Sequence, residues 1–486
     1  MLSLWEDSIK IEKYNELNED IWADVAIIGA GIAGILTGYM LMQKGIKPVI
    51  LEADRVLSGM TKNTTAKITY QHGLIYDKLI KNFGVVKATQ YYKFNKQAIR
   101  EYEKIIFNNK IDCDFEKKSS CVYSLNDEKC ILNEVVAAKR LGINAEFVKD
   151  TELPFKIKAG IIFKNQAQFN PLKFLKPLLQ DLDIYENCVI NKIVGDTLYS
   201  DKYKINARKI VIASHYPFVN VPGYYFLRMH QERSYVIAIQ NAQSLKGMYI
   251  DEQTGGYSFR EYNNLLLLGG SGCRTGKNKN GGAYDKLRQA AKIWYPNYKE
   301  KYHWSAQDCM PLDSVPYIGQ FSSKTPHIYI ATGFNKWGMT SSMVAARLIS
   351  EMISTGDNDI AGIFSPQRFN FKASIKNLIK DGTCSAAGLI KTITKRPNEE
   401  IENLQASHGG IVKYNGQKVG AYKNENGEIF IVTTKCPHLG CQLEWNPDEL
   451  CWECPCHGSR FDYKGNTISG PSTTGITLDY IKEIKK

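Results

Sequence analysis

A chain of 486 residues with 43% hydrophobic side chains is long enough for two or three domains, each with its own core. Its formal charge of +12 is unevenly placed. Residues 401–486 carry nine Lys/Arg and ten Asp/Glu, leaving 53 of the 62 basic and 40 of the 50 acidic side chains, a net +13, to the first 400. Aromatics are not interleaved with Lys/Arg as in a nucleic-acid module, and no run of 18 apolar residues exists to span a membrane. The start, Met1-Leu2-Ser3-Leu4-Trp5-Glu6-Asp7, has no secretory pattern. Twelve Cys are too few for a disulfide scaffold in so long a chain, and five of them crowd into 436–456, so a cytoplasmic protein is expected.

Asp24-Val25-Ala26-Ile27-Ile28 reads as a buried parallel strand running into Gly29-Ala30-Gly31-Ile32-Ala33-Gly34, with an apolar helix to about Lys44 and a second strand, Pro48-Val49-Ile50-Leu51, ending at Glu52. In such a βαβ unit the glycines admit a pyrophosphate to the helix N-terminus, and Glu52 and Ala53 stand where a ribose hydroxyl would be read. A glycine-rich packing turn is the plainer alternative. Arg55-Val56-Leu57-Ser58-Gly59-Met60-Thr61 follows as a polar loop suited to the pyrophosphate. Lys67 stands alone in the uncharged stretch Thr64-Thr65-Ala66-Lys67-Ile68-Thr69. Residues 75–150, rich in Lys, Tyr and Phe at helical spacing, read as an amphipathic helical lid, and 234–239 and 265–268 as strands with a Gly/Lys/Asn loop at 275–282.

Late in the chain, the strand Ile328-Tyr329-Ile330-Ala331-Thr332 leads into Gly333-Phe334-Asn335-Lys336-Trp337-Gly338-Met339-Thr340 and a helix. A helix N-terminus there suits a flavin edge that becomes negative on reduction. Together with Trp304-Ser305-Ala306-Gln307-Asp308 and Pro311-Leu312-Asp313-Ser314-Val315-Pro316-Tyr317-Ile318-Gly319, these stretches resemble the FAD-dependent oxidoreductases of the D-amino-acid oxidase and glycine oxidase type. The resemblance implies FAD, held without a covalent bond because Cys309 lacks the spacing to Asp313 of covalent relatives. It implies that Val189, in Asn187-Cys188-Val189-Ile190, packs by the adenine, and that Ala213, in Ile210-Val211-Ile212-Ala213-Ser214, lies beneath the cofactor. It also makes Gln231, Tyr257 and Arg260 candidates for the substrate side, and Lys67 a partner for flavin or a substrate carboxylate. Each could instead be a structural polar residue on a strand.

From 401 onward short strands alternate with turns at Asn415-Gly416, Asn426-Gly427 and Lys464-Gly465, as a small antiparallel β domain requires. Cys436-Pro437-His438-Leu439-Gly440-Cys441 and Cys454-Pro455-Cys456-His457-Gly458-Ser459 each offer one Cys and one His at ligand spacing. Thiolates on one iron and imidazoles on the other make a [2Fe–2S] centre of raised potential; a zinc ribbon takes the same donors. The double motif resembles the Rieske family, which implies Cys436, His438, Cys454 and His457 as ligands and Gly470-Pro471 as the loop over the cluster. By the same resemblance Cys441 and Cys456 stand where respiratory Rieske proteins carry a disulfide, free thiols being the alternative. Ser459 occupies the place of one hydrogen-bond donor to the cluster, and Phe461 the place of a second, a Tyr.

The expected fold is an α/β FAD-binding domain (Rossmann-like, glutathione-reductase type) from 1–75, 152–220 and 301–365, with an α+β substrate domain from 76–151 and 221–300. A linker at 366–400 and a small all-β Rieske domain at 401–486 complete it. The expected function is oxidation of a C–N bond in a small amine or amino acid, with electrons leaving singly through the cluster to an acceptor, such as an acidic electron-transfer protein suited to the basic body. An electron-transfer protein without a small substrate is the alternative. A Rieske oxygenase would need a further iron site of two His and a carboxylate. The other histidines (72, 215, 230, 303, 327, 408) show no helical His-x-x-x-His pair.

Overall fold

The computed structural model describes residues 3–368 and 399–478, together with Ser374 and Pro397. A mainly parallel sheet is centred on Ile21–Ile28, whose near-continuous apolar run suits a strand buried on both faces. It lies between Pro48–Leu51 and Lys204–Ile212, with Asp183–Tyr185 and Thr325–Thr332 outside them and Tyr317–Ser322 as an antiparallel edge. The helix Ile32–Met42 is apolar on nearly every side and packs between this sheet and the helix Gly338–Thr355.

The second sheet runs in the order Lys299–Pro311, Met229–Gln240, Leu265–Arg274, Ser258–Tyr262, Gly247–Asp251, Glu116–Ser124, Ala159–Gln168, Lys67–Ile68, with Ala145–Val148 beside Ala159–Gln168. Three of these strands, Lys67–Ile68, Ala159–Gln168 and Lys299–Pro311, lie in segments expected in the FAD-binding domain. They belong to the second sheet instead: Lys67–Ile68 pairs with Ala159–Gln168, Ala159–Gln168 with Glu116–Ser124, and Lys299–Pro311 with Met229–Gln240. Alternating burial reveals a strand but does not say which sheet receives it.

The segment expected as a helical lid is only partly helical. Tyr76–Asn108 forms a helix broken at Gly84 (φ 81°), and its face of Tyr91, Tyr92, Ala98, Ile99 and Tyr102 is buried. The helix Glu128–Arg140 and the strands Glu116–Ser124 and Ala145–Val148 complete the segment.

The C-terminal domain has a three-stranded sheet, His408–Tyr414, Gln417–Lys423 and Ile429–Val432, and a four-stranded one, Glu444–Asn446, Cys451–Glu453, Arg460–Asp462 and Thr467–Ser469. Asn415 and Gly416 (φ 47° and 75°) take the left-handed pair of a tight hairpin. The linker expected at 366–400 lies mostly outside the described residues. Its first residues pack closely, with the Arg368 guanidinium on both Asp313 oxygens (2.9 and 3.0 Å).

Candidate functional site

Where Ile21–Ile28 ends, Gly29 turns with φ 106°, and a Cβ there would stand 2.8 Å from the Ala213 carbonyl oxygen. A Cβ on Gly34 would meet the Gly29 oxygen at 1.9 Å, so helix and turn approach as only glycine allows. Beside Gly31 the nearest atom to an added Cβ is Thr61 Oγ1, at 3.4 Å, and Gly59 faces open space. This is the room a pyrophosphate needs at a helix N-terminus. Gly31 provides no side-chain cap, and Thr61 Oγ1 accepts from the Ile32 amide (2.9 Å). Glu52 accepts from the amides of Ala30 (2.6 Å) and Asp54 (3.1 Å), and burial raises its pKa in spite of them. Ser58 closes the following loop on the Arg55 carbonyl, and the Cys188 amide on the Glu52 carbonyl brings Val189 to this edge.

Arg55 does not face the glycine turn. Its guanidinium is tied to the buried Glu186 (2.8 Å), whose carboxylate also receives the amides of Val56 and Tyr14. Glu186 thus anchors the loop. The sequence signalled it only as an acid at the end of a short strand.

On the far side the turn at 333–339 is held from below. Gly333 (φ 72°) lies where a Cβ would strike the Pro311 ring at 2.7 Å, and the Asn335 amide bonds the Cys309 carbonyl (3.0 Å). His72 stacks on Trp337 (4.9 Å), donates from Nε2 to Thr69 O (2.7 Å) and accepts at Nδ1 from Tyr91. Burial lowers its pKa to about 3, so the ring is neutral. Thr340 Oγ1 lies 2.9 Å from His72, and Tyr102 bonds the Met339 carbonyl. His72 follows Lys67 in the same segment, and nothing in its sequence neighbourhood singled it out.

Lys67 is half-buried, donates to Thr65 Oγ1 (3.1 Å) and lines a small cavity with Thr69, Gln71, Ser120, Tyr249 and Trp337. Burial, and then the charge of Arg260, push its pKa down to about 7. The other three substrate-side candidates do not join it. Arg260 is fully buried and committed to protein acceptors, Gln168 Oε1 and the carbonyls of Thr65 and Phe169, which leaves no fork for a substrate carboxylate. Tyr257 packs edge-on against Trp294 (4.9 Å) in the core beneath the helix Ala283–Trp294. Gln231 donates to the His457 carbonyl (2.6 Å), at the second centre.

That centre is built from two matching loops. Gly440 N bonds Cys436 O and Gly458 N bonds Cys454 O, both at 2.9 Å, each glycine taking a positive φ (76° and 81°). The loops bring the rings of His438 and His457 within 5.0 Å, and Cys441 is disulfide-bonded to Cys456. The sulfurs of Cys441, Cys454 and Cys456 lie within 4.8 Å of one another, but the bonded pair is spent, leaving Cys454 with Cys436 as thiol donors. The hydrogen bond from Cys454, helped by Ser459 and the His438 and Leu439 amides, lowers the Cys436 pKa to about 7 against burial. His438 Nε2 lies 2.7 Å from Asn220 Oδ1, which only accepts, so Nε2 carries the proton. The buried Nδ1 makes no hydrogen bond and keeps its lone pair. Two thiol donors and imidazole nitrogens of this kind fit a [2Fe–2S] cluster. Phe461 is fully buried in one apolar cluster with Cys436 and Cys454.

The loop at 275–282 proves to be a docking surface. Gly276 N bonds Glu453, Gly282 N bonds Asp448, and Lys279 pairs with Glu444 (2.5 Å). Nearby, Arg274 bonds the carbonyls of Pro455 and Cys456, while the fully buried Arg233 pairs with Glu449 (2.7 Å) and Glu453 (3.3 Å). Phe226 stands edge-on to both His438 (6.4 Å) and His457 (5.9 Å).

Such a cradle and such a centre define a flavin- and iron–sulfur-dependent oxidoreductase. The family described as FAD dependent oxidoreductase (DAO) matches residues 24–352, and the Rieske [2Fe-2S] domain family matches 397–481. The chain belongs to the DAO family of FAD-dependent oxidoreductases and carries a C-terminal Rieske domain, with FAD and a [2Fe–2S] cluster as cofactors. It is 38% identical over 485 residues to YhfW of Bacillus subtilis (strain 168), named as a Rieske 2Fe-2S iron-sulfur protein, covering 96% of this chain and 95% of that one. Among solved structures it is similar to L-proline dehydrogenase from P. horikoshii (TM-score 0.59, 15% identity, 73% of this chain and 98% of that one). Glycine oxidase from Geobacillus kaustophilus is likewise similar (TM-score 0.59, 16% identity, 72% and 99%). Among the described residues no helix is long and apolar enough to cross a membrane.

Proposed function

We propose that this enzyme oxidises a C–N bond of a small amine or amino acid and releases the electrons one at a time through its Rieske centre to an acceptor. The observation that carries the reading is the seat of the Rieske domain. The loop bearing His457 rests on one face of the strand pair Met229–Gln240 and Lys299–Pro311, through Gln231 and Gln307. On the other face Glu232 is held by Lys336 of the 333–339 turn (2.9 Å). In this reading one sheet layer separates the flavin side from the cluster loop.

In this reading Gly29, Gly31, Ile32, Ala33, Gly34, Glu52 and Thr61 cradle the FAD pyrophosphate and ribose, and the 333–340 turn borders the flavin ring. Cys436, His438, Cys454 and His457 hold the cluster. When bound, the flavin takes two electrons as a hydride and the cluster takes electrons singly. Lys67 Nζ, largely neutral above pH 7, accepts the proton of a substrate ammonium and so frees the nitrogen lone pair. Proline dehydrogenase and glycine oxidase, fold neighbours whose names specify amino acids, support this substrate class. The net +13 of the first 400 residues favours an acidic carrier protein as acceptor. Seven free cysteines besides the two cluster ligands and one disulfide, among the described residues, suit a reducing cytoplasm.

An anaerobic screen of amines and amino acids tests the reading. Bleaching of the flavin followed by the cluster's EPR signal is the expected result. If no compound bleaches the flavin while a reduced carrier protein does, the enzyme is an electron-transfer protein instead.

A further inference from the structure

In the strand pair Met229–Gln240 and Lys299–Pro311, Gln231 stands opposite Cys309 and Arg233 opposite Gln307, which makes Gln231 and Gln307 diagonal neighbours on one face. Each is only 1% exposed. Gln307 Nε2 donates to Gln231 Oε1 (2.5 Å) and to the Gly458 carbonyl (2.8 Å), while Gln231 Nε2 donates to the His457 carbonyl (2.6 Å). Carbonyl oxygens only accept, so the sense of both amides is determined. Arg233, 3.4 Å from Gln307 Oε1, anchors the far end. The contact is close enough that a Cβ on Gly458 would stand 2.7 Å from Gln231 Cβ. An apolar pair would seal the same contact but take these two donors from the ligand-loop carbonyls.

We propose that Gln231 and Gln307 are positioning residues that hold the His457–Gly458 loop at a fixed reach above the sheet, and so set the rate at which electrons pass between flavin and cluster. The proposal rests on the reading that this passage occurs within the chain. Each passage removes one electron from the reduced flavin and leaves one cluster iron ferrous, with no bond made or broken. Neither residue touches a reacting atom.

The test is laser-flash photoreduction of the holoenzyme's own flavin, with EDTA as electron donor, followed by the rise of reduced cluster. No substrate is involved, so the result is independent of whether amines are oxidised. In Gln307→Leu and Gln231→Leu the flavin-to-cluster rate falls by about tenfold or more, and the cluster's g-values shift, while FAD, iron and sulfide contents stay at wild-type levels. Lys279→Ala, which removes a half-buried lysine from the same docking surface without touching the ligand loop, keeps the rate within about twofold. Gln307→Asn retains the amide but withdraws it by one methylene, and gives an intermediate rate. Wild-type rates in both Leu variants overturn the proposal, as does an equal slowing in Lys279→Ala. Loss of the cluster from all three glutamine variants with flavin retained also overturns it, since the pair would then be a folding element. An absence of cluster reduction in the wild-type enzyme refutes intramolecular transfer itself, whatever the glutamines do.

Discussion

Replacing Arg233 by Met should loosen the Rieske domain more than any other single change at its seat. Arg233 is fully buried between Glu449 (2.7 Å) and the equally buried Glu453 (3.3 Å). Removing one partner of a buried ion pair costs roughly 3–5 kcal/mol, because the opposite charge stays behind without compensation. Here Arg460 remains 3.2 Å from Glu449 and 3.6 Å from Glu453, which moves the expectation to the lower end, about 3 kcal/mol. Burial alone would raise the Glu449 pKa, but Arg233 and then Arg460 hold it below the ordinary carboxylate value. A depressed carboxylate stabilises the folded state above its unfolded pKa of about 4.3, and that contribution is lost as pH falls through the folded value. The deficit of the variant is therefore greatest above pH 5 and narrows toward pH 4. Scanning calorimetry of the holoenzyme reads it as a separate, earlier Rieske transition. Adding Glu449→Gln alone to Arg233→Met should recover part of the loss, since one uncompensated carboxylate leaves while Arg460 keeps Glu453 as its partner. A deficit below about 1 kcal/mol, or a double variant no more stable than the single one, would refute the argument.

Phe461→Tyr, with the ring already buried beside Cys436 and Cys454, should raise the cluster midpoint by about 40 mV, the equivalent of one hydrogen bond of ~1 kcal/mol in a one-electron couple. Voltammetry showing an unchanged midpoint means the new hydroxyl does not reach a cluster sulfur. Gly34→Ala brings a methyl to 1.9 Å from the Gly29 oxygen and should yield protein that keeps its cluster but loses FAD; a full flavin absorbance contradicts this. Lys67 Nζ is an ammonium below about 7 and a free amine above it, so anaerobic flavin reduction by a substrate should accelerate as pH rises through that value. Lys67→Met should remove the pH dependence, and a rate already flat in the wild type disposes of the proton-acceptor role.

The glycine turn at Gly29–Gly34, the two Cys/His motifs and the hairpin turns were all legible in the residues, because each is a local requirement. A left-handed φ, a close backbone approach or a ligand spacing is met within a few positions of chain. The roles of Gln231, Tyr257 and Arg260 were not legible. Gln231 and Arg260 lie on strands of the second sheet and Tyr257 just before one, and alternation identifies a strand's two faces without saying what packs on either. Gln231 met the cluster loop, Tyr257 the core under a helix, and Arg260 the carbonyls of Thr65 and Phe169, both distant in the chain. Glu186, His72 and Asn220 escaped notice for the same reason: each acts on a partner 130 or more residues away, apart from the short steps from His72 to Thr69 and Tyr91. The loop at 275–282 read only as a Gly/Lys/Asn connection between elements and became the seat of the Rieske domain once 453 and 448 were folded against it. Residue chemistry named both cofactors; long-range register and the docking of one domain on another decided how closely the two sites approach.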